Sequence, residues 1–206
     1  MMASHTDPGF QNRDTGGKIV AALERVAQAF RVLLWNECKV YGLSPIQVQL
    51  LAFLQHHEGA QRKVSYLAEE FNMTRATISE AVKSLEEKGL VEKRTEKQDN
   101  RSFIIHPTRK GKEMAGRVAA FATALWQPVH ALPPDRQQAL LQGLLHIIGH
   151  LQQQGIISMQ RMCYTCAHYA PGGAGKTAFC RLLNRPLEEA QVRLDCPEHE
   201  PMAAIE

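Results

Sequence analysis

Four of the five cysteines in this 206-residue chain fall within its last 44 residues. They read Cys163-Tyr164-Thr165-Cys166, then Cys180 after 13 residues and Cys196 after 15 more. A C-x-x-C pair turns both sulfurs to one side of a short loop, and two further cysteines complete a set of four. Four thiolates suit tetrahedral zinc or an iron–sulfur cluster. Zinc modules often carry two C-x-x-C knuckles, and here there is one. Pro197 directly after Cys196 matches a pattern found at ferredoxin-type cluster ligands. Zn2+ and an iron–sulfur cluster therefore stay equally open. His168 and His199 could replace a cysteine, but read more simply as neighbours of the site. The segment has little core of its own, with Phe179, Leu182, Leu183, Leu187, Val192 and Leu194 as its larger apolar residues. A metal would supply the stability it lacks.

The second chemically marked stretch is basic. Between Arg75 and Lys112 ten Lys/Arg stand against six Asp/Glu, a balance of +4, while the rest of the chain sums to −1. The whole positive excess of the chain sits in one 38-residue segment. Local basic excess points to phosphate contact more strongly than a mildly basic total, although charge runs are usually solvated faces.

Two other readings fit parts of the same tail. The pair Cys163 and Cys166 could serve a thiol–disulfide or metal-dependent enzyme, but such a motif normally opens a helix after a strand. No strand is read before Met162. Ala170-Pro171-Gly172-Gly173-Ala174-Gly175-Lys176-Thr177 fits a relaxed phosphate-loop pattern. A true phosphate loop needs a large parallel sheet around it. A 51-residue tail has no room for one, so the stretch reads as a flexible glycine loop and nucleotide hydrolysis through Lys176 and Thr177 is the weakest reading.

The elements that would hold these groups follow from periodicity. Residues 1–17 read as a loose tail ending in Gly16-Gly17. Ile19, Leu23, Val26, Phe30 and Leu33 form an apolar stripe on a helix over about 18–40, either core or a seam between subunits. Cys38 near its end is an oxidation candidate or, more simply, a small buried hydrophobe. Ser44, Pro45 and Gln47 make a capping box for a helix to His57, stopped by Gly59. A short helix over 65–71 turns at Asn72-Met73 with Leu67, Ala68 and Phe71 inward. Thr74 caps the next helix, which runs to Lys88 and ends at Gly89. It points Ile78, Val82 and Leu85 inward and Arg75, Thr77, Ser79, Glu80 and Lys83 outward. That polar face suits a major groove. Strands over 90–94 and 102–106 flank a charged tip, Thr95 to Arg101. Pro107 breaks the second strand, Thr108 caps a helix over about 109–126, and a last helix runs from Asp135 to about Gln154. This last helix is apolar over more than one face.

Helix, turn, helix, strand, basic hairpin, strand is the order of a winged helix. Residues 18–154 resemble a MarR-family winged-helix transcriptional regulator. The resemblance rests on Leu43-Ser44-Pro45-Ile46-Gln47, on Asn72-Met73-Thr74-Arg75-Ala76-Thr77-Ile78-Ser79, on Leu85-Glu86-Glu87-Lys88-Gly89-Leu90-Val91, on Asp99-Asn100-Arg101 and on Pro107-Thr108-Arg109-Lys110-Gly111. It implies a mainly α fold with a small β-wing (α+β) and long dimerisation helices over 18–155. The cysteine-rich module, 156–206, is extra to it.

The resemblance further implies a homodimer on a pseudo-palindromic double-stranded DNA operator. Thr74, Arg75, Thr77, Ser79 and Lys83 would contact bases or phosphates, with Arg75 able to pair with guanine. Lys93, Arg94 and Lys97 would serve phosphates. Arg101, oriented by Asp99, would enter a minor groove. A small aromatic acid or an oxidant is the effector that the family suggests, and metal or redox state of the four-cysteine module is a further input. No apolar run reaches the roughly 18 residues of a membrane span, and no secretory leader is read at the start of the sequence. The cytoplasm is the expected place.

Overall fold

The computed structural model describes residues 7–96, 99–157, 161–173, 177–188 and 191–202, without the side chains of 10, 96 and 99–102. The first short helix is α1 (Pro8–Gln11). The long helix α2 spans Thr15–Tyr41. It starts earlier than periodicity suggested, and Gly16 and Gly17 lie inside it. The reason is Asp14, whose side chain accepts a hydrogen bond from the Gly17 N–H at 2.8 Å and so caps the helix. Gly42 ends α2 in the left-handed conformation at φ 62°, where glycine carries no Cβ penalty.

The chain divides into two compact units, residues 1–64 with 78–127 and residues 65–77 with 128–206. In the first, α3 (Pro45–His56) begins with the expected capping box: Ser44 Oγ accepts from the Gln47 N–H while Gln47 Oε1 accepts from the Ser44 N–H. Val48, Leu50, Leu51 and Leu54 on this helix have no exposed surface. A 3-10 turn follows at Gly59–Arg62. Arg62 is buried, and its Nη2 donates to the Leu54 carbonyl at 2.9 Å.

Strands β1 (Val91–Glu96) and β2 (Asp99–Pro107) pair antiparallel, with Val91 opposite Pro107 and Thr95 opposite Phe103. The register shifts between Thr95 and Glu96. The strands are longer than their apolar cores predict because the ladder runs on into the polar tip. Helix α6 (Arg109–Val118) is capped by Thr108, whose Oγ1 accepts from the Gly111 N–H at 3.0 Å. It continues as a 3-10 stretch, Ala119–Leu125, and then α7 (Trp126–His130). The expected single helix to Trp126 is thus a helix with a tightened second half. Phe121 meets Phe30 of α2 edge to face, with ring centroids 6.4 Å apart.

In the second unit, α4 (Val64–Glu70) buries Leu67 and Ala68. Its chain turns at Asn72, φ 51°. Helix α5 (Arg75–Glu87) begins in this unit and continues in the first. The last long helix, α8, covers Pro134–Gln153. Beyond it three short strands form one antiparallel sheet in chain order: β3 (Tyr169–Ala170), β4 (Ala178–Cys180) and β5 (Arg185–Leu187). No described helix is long and apolar enough to cross a membrane.

Candidate nucleic-acid interface and thiol cluster

Thr74 starts α5 as the sequence requires. Its Oγ1 accepts from the Thr77 N–H at 3.1 Å and lies 2.8 Å from Thr77 Oγ1. Helix α5 then separates its faces cleanly. Ile78, Ala81, Val82 and Leu85 are buried, whereas Arg75, Thr77, Ser79, Glu80 and Lys83 are exposed. A helix with one aliphatic face inside and one short polar face outside can present donors and acceptors to base edges.

The wing residues differ among themselves. Lys93 Nζ sits 2.7 Å from Glu86 Oε2 and 5.3 Å from the centre of the Phe103 ring. Arg94 pairs with Glu92 on the same strand, Nε to Oε1 at 2.8 Å. Both cations therefore already have carboxylate partners that a phosphate would have to displace. Lys97 lies outside the described residues, as do the side chains of Asp99 and Arg101, so their predicted roles at the tip find no geometry here.

The four tail cysteines are brought together. Cys163, Cys166, Cys180 and Cys196 line one small, partly open space of about 20 Å³, with His168 and Leu187 among its other walls. Burial pushes the Cys163 thiol up, a backbone N–H from Arg193 opposes this, and the three neighbouring thiols raise it further. That N–H reaches Cys163 Sγ at 3.2 Å, and Arg193 Nη1 reaches Cys196 Sγ at 3.6 Å. Cys196 Sγ also lies 3.4 Å from Glu198 Oε2. Among the described residues no group of three or more His, Cys, Asp or Glu stands in an arrangement that could hold a metal ion. The four thiols share the walls of this one space. His199 lies apart from the cavity wall, 3.0 Å from Thr165 Oγ1, whereas His168 faces the cavity and sits 3.2 Å from Glu200.

Cys163 and Cys166 are both buried, and Cys163 opens a three-residue 3-10 turn rather than a helix after a strand. That geometry does not match an exposed attacking thiol. Cys38 is likewise buried, and burial raises its thiol, which fits a small hydrophobe better than an oxidation sensor. The glycine-rich stretch joins β3 to β4 and opens no helix, and Lys176 lies outside the described residues. A wider, open space of about 1000 Å³ lies along α8 and the module, bordered by Val129, Leu141, Tyr164, Tyr169 and Val192.

One residue escaped the reading of the sequence. Arg161 is only 9% exposed. Its Nη1 donates to Glu70 Oε2 and to Tyr66 Oη, each at 2.6 Å. Its Nε and Nη2 grip the two oxygens of Asp195. Burial alone would pull the Arg161 pKa down, but Asp195 and Glu70 hold it above the ordinary arginine value. Its partners lie 34 and 91 residues away, so no local pattern announces them. The available signal was the spacing of Tyr66 and Glu70, one turn apart on α4.

Comparison with known proteins agrees with this architecture. The MarR family model matches residues 41–102. A curated relative from Thauera aromatica, named a putative transcriptional regulatory protein for the hcr operon, is 28% identical over 117 residues, 57% of this chain and 69% of that protein. The solved Staphylococcus aureus MepR–DNA complex has the same fold with TM-score 0.57 at 17% identity, over 64% of this chain and 97% of that one. A putative MarR-family regulator from Listeria monocytogenes, solved with a 26mer DNA, gives TM-score 0.57 at 19% identity, over 66% of this chain and 89% of that one. Family match, curated relative and fold all point the same way: residues 41–102 match the MarR family, and the chain shares the fold of the winged-helix structures it resembles.

Proposed function

We propose that this chain is a homodimeric transcriptional regulator that binds double-stranded DNA through α5. The observation that carries the reading is the division of α5 into a buried aliphatic face and an exposed face holding Arg75, Thr77, Ser79 and Lys83. Relatives of the same fold that were solved with DNA support it. The relative from Thauera is named as a regulator, not as an enzyme. The thiol–disulfide alternative gains nothing from the buried Cys163 and Cys166.

The second subunit is a copy of this chain. On α2, Ile19 is 48% exposed, Val26 45% and Phe30 40%. An apolar stripe along a 27-residue helix is too long to leave in water. Pairing two copies covers it and sets two recognition helices on half-sites about one helical turn apart. The four-cysteine module then acts as a metal- or redox-responsive appendage that holds zinc or an iron–sulfur cluster, and a small-molecule effector has the open space beside α8 available to it.

Selection of duplexes from a random pool, followed by binding titrations at several salt concentrations, tests the main reading. Arg75→Ala weakens binding about 10-fold to 100-fold and relaxes the base preference at one position of each half-site. Lys83→Ala lowers the salt slope by about one. Lys93→Ala lowers it less, because Glu86 already neutralises that ammonium. Equal binding of every duplex by wild type and Arg75→Ala alike would defeat the proposal.

A further inference from the structure

The thiol cavity and helix α4 belong to the same compact unit, and Arg161 connects them. Its backbone carbonyl accepts from the Cys196 N–H at 3.0 Å. Its guanidinium grips Asp195, the residue before Cys196. Cys163, two residues after Arg161, bonds the Arg193 carbonyl through its N–H at 3.0 Å. The opposite edge of the guanidinium holds Tyr66 and Glu70 on α4. A second, weaker tie joins Asn72 in the following turn to the Ile156 carbonyl at 3.4 Å. Arg161 thus links the backbone beside Cys163 and Cys196 to Tyr66 and Glu70, two polar side chains of α4.

We propose that a single thiophilic metal ion bound by Cys163, Cys166, Cys180 and Cys196 fixes the Arg161–Asp195 fork, and that Arg161 passes this state to α4 and the turn that leads into α5. This rests on the DNA-binding reading for its consequence, but not for its own test. The space between the four sulfurs has room for roughly one water-sized sphere. That suits one ion held by four sulfurs. Loading would set the four sulfurs that line this space at about 2.3 Å from the ion. The loop from Arg193 to Cys196 tightens with it, holding Asp195 against Arg161. Without the ion this loop relaxes, and the buried guanidinium keeps Glu70 and Tyr66 without its second carboxylate firmly in place. Leaving a buried charge incompletely paired is unfavourable, so α4 opens more often. In the DNA-binding reading, α4 supports the start of the recognition helix, and the metal-loaded protein binds duplex more tightly.

Full-length protein stripped with a chelator under reducing conditions is titrated with Zn2+ alone. Zinc content is measured together with backbone hydrogen exchange. About one zinc per chain binds, and exchange across residues 65–77 slows about 10-fold, while that of α3 stays unchanged. Arg161→Met still takes up zinc but loses the slowing over 65–77. Glu70→Gln, which keeps shape and removes charge, loses most of it and guards against a variant that fails to fold. Slowing that survives in both variants, or zinc uptake with no change over 65–77 in wild type, overturns the coupling. A brown protein with several irons and sulfides per chain after reconstitution overturns the single ion, and no uptake of either metal overturns the site. Duplex titrations on the same samples separate the two readings. The loaded wild type binds about 10-fold tighter than the stripped form. Zinc-dependent protection of α4 with no duplex binding in any state would leave the coupling standing and remove the DNA-binding function.

Discussion

Between Leu43 and Val118 the chain excludes water mainly with aliphatic side chains, with Gln47 and Arg62 as buried polar groups among them. Between Arg161 and Cys196 it does so with a guanidinium, two thiols and few apolar groups. In the first region Val48, Leu50, Leu51, Leu54, Ile78, Val82, Leu85 and Ile105 are fully buried. In the second the buried set is Arg161, Met162, Cys163, Cys166 and Leu187. The first kind of core is complete once its side chains are packed. The second is complete only when its charge and its sulfurs are satisfied, because polar groups taken out of water are costly until paired. One region is thus complete in itself, and the proposed metal ion would complete the other.

The sharpest way to break the aliphatic region is at Gly111. A Cβ there would stand 1.8 Å from the Leu90 carbonyl oxygen, so α6 and the start of the wing could no longer lie together. That contact involves backbone on both sides, and no rotamer change relieves it. Gly111→Ala is expected to lower stability by more than about 3 kcal/mol, beyond ordinary overpacking. Thermal melting followed by circular dichroism reads this directly. A melting temperature within a few degrees of wild type would refute the close approach of helix and strand.

The next effect works from the other side. With the proposed ion bound at the four cysteines, chelation should lower or abolish one melting transition and leave the transition of the aliphatic region where it was. The stabilisation lost is about 4 kcal/mol when free metal had stood at about 1,000 times its dissociation constant. Differential scanning calorimetry with and without chelator resolves the two. A single transition that moves as a whole would show that the contrast between the regions does not extend to their stability.

The same contrast explains what could be read from the sequence. Ser44, Thr74 and Thr108 announced their helices because a cap and an apolar period are local signals, and all three side chains make the expected bonds to backbone N–H groups. The four cysteines were legible as a set because their type and spacing limit what they can do. Gly16-Gly17 reads as a helix stop because a glycine pair weakens a helix, yet the Asp14 cap starts α2 ahead of it. Strands β3, β4 and β5 have two or three residues each and offer no alternation to detect. Arg161 was invisible because its burial is decided by carboxylates far away in the chain. Aliphatic cores leave a periodic trace in sequence, whereas a buried ion cluster leaves none.

The smallest expected effect concerns the one imidazole of the aliphatic region that burial visibly perturbs. His106 lies on β2 opposite Glu92, with Arg62 Nη1 3.4 Å from its Nδ1. Burial pushes its pKa down, Arg94 and Arg62 push the same way, and Glu92 and Glu58 only partly oppose them. The folded pKa is therefore below that of the unfolded chain, about 6.5. Above that value both states are neutral at this site and His106 adds no pH dependence. As pH falls below about 6.5 the unfolded chain takes up the proton first, so stability declines until the folded pKa is passed. Denaturant titrations between about pH 7 and pH 5 should show a shallow loss in wild type that His106→Gln reduces. The glutamine can still meet Arg62 but carries no titrating group. Identical slopes in the two proteins would mean that the wing strand senses acid no more than solvent does, and the aliphatic region would then be constant in pH as well as in metal.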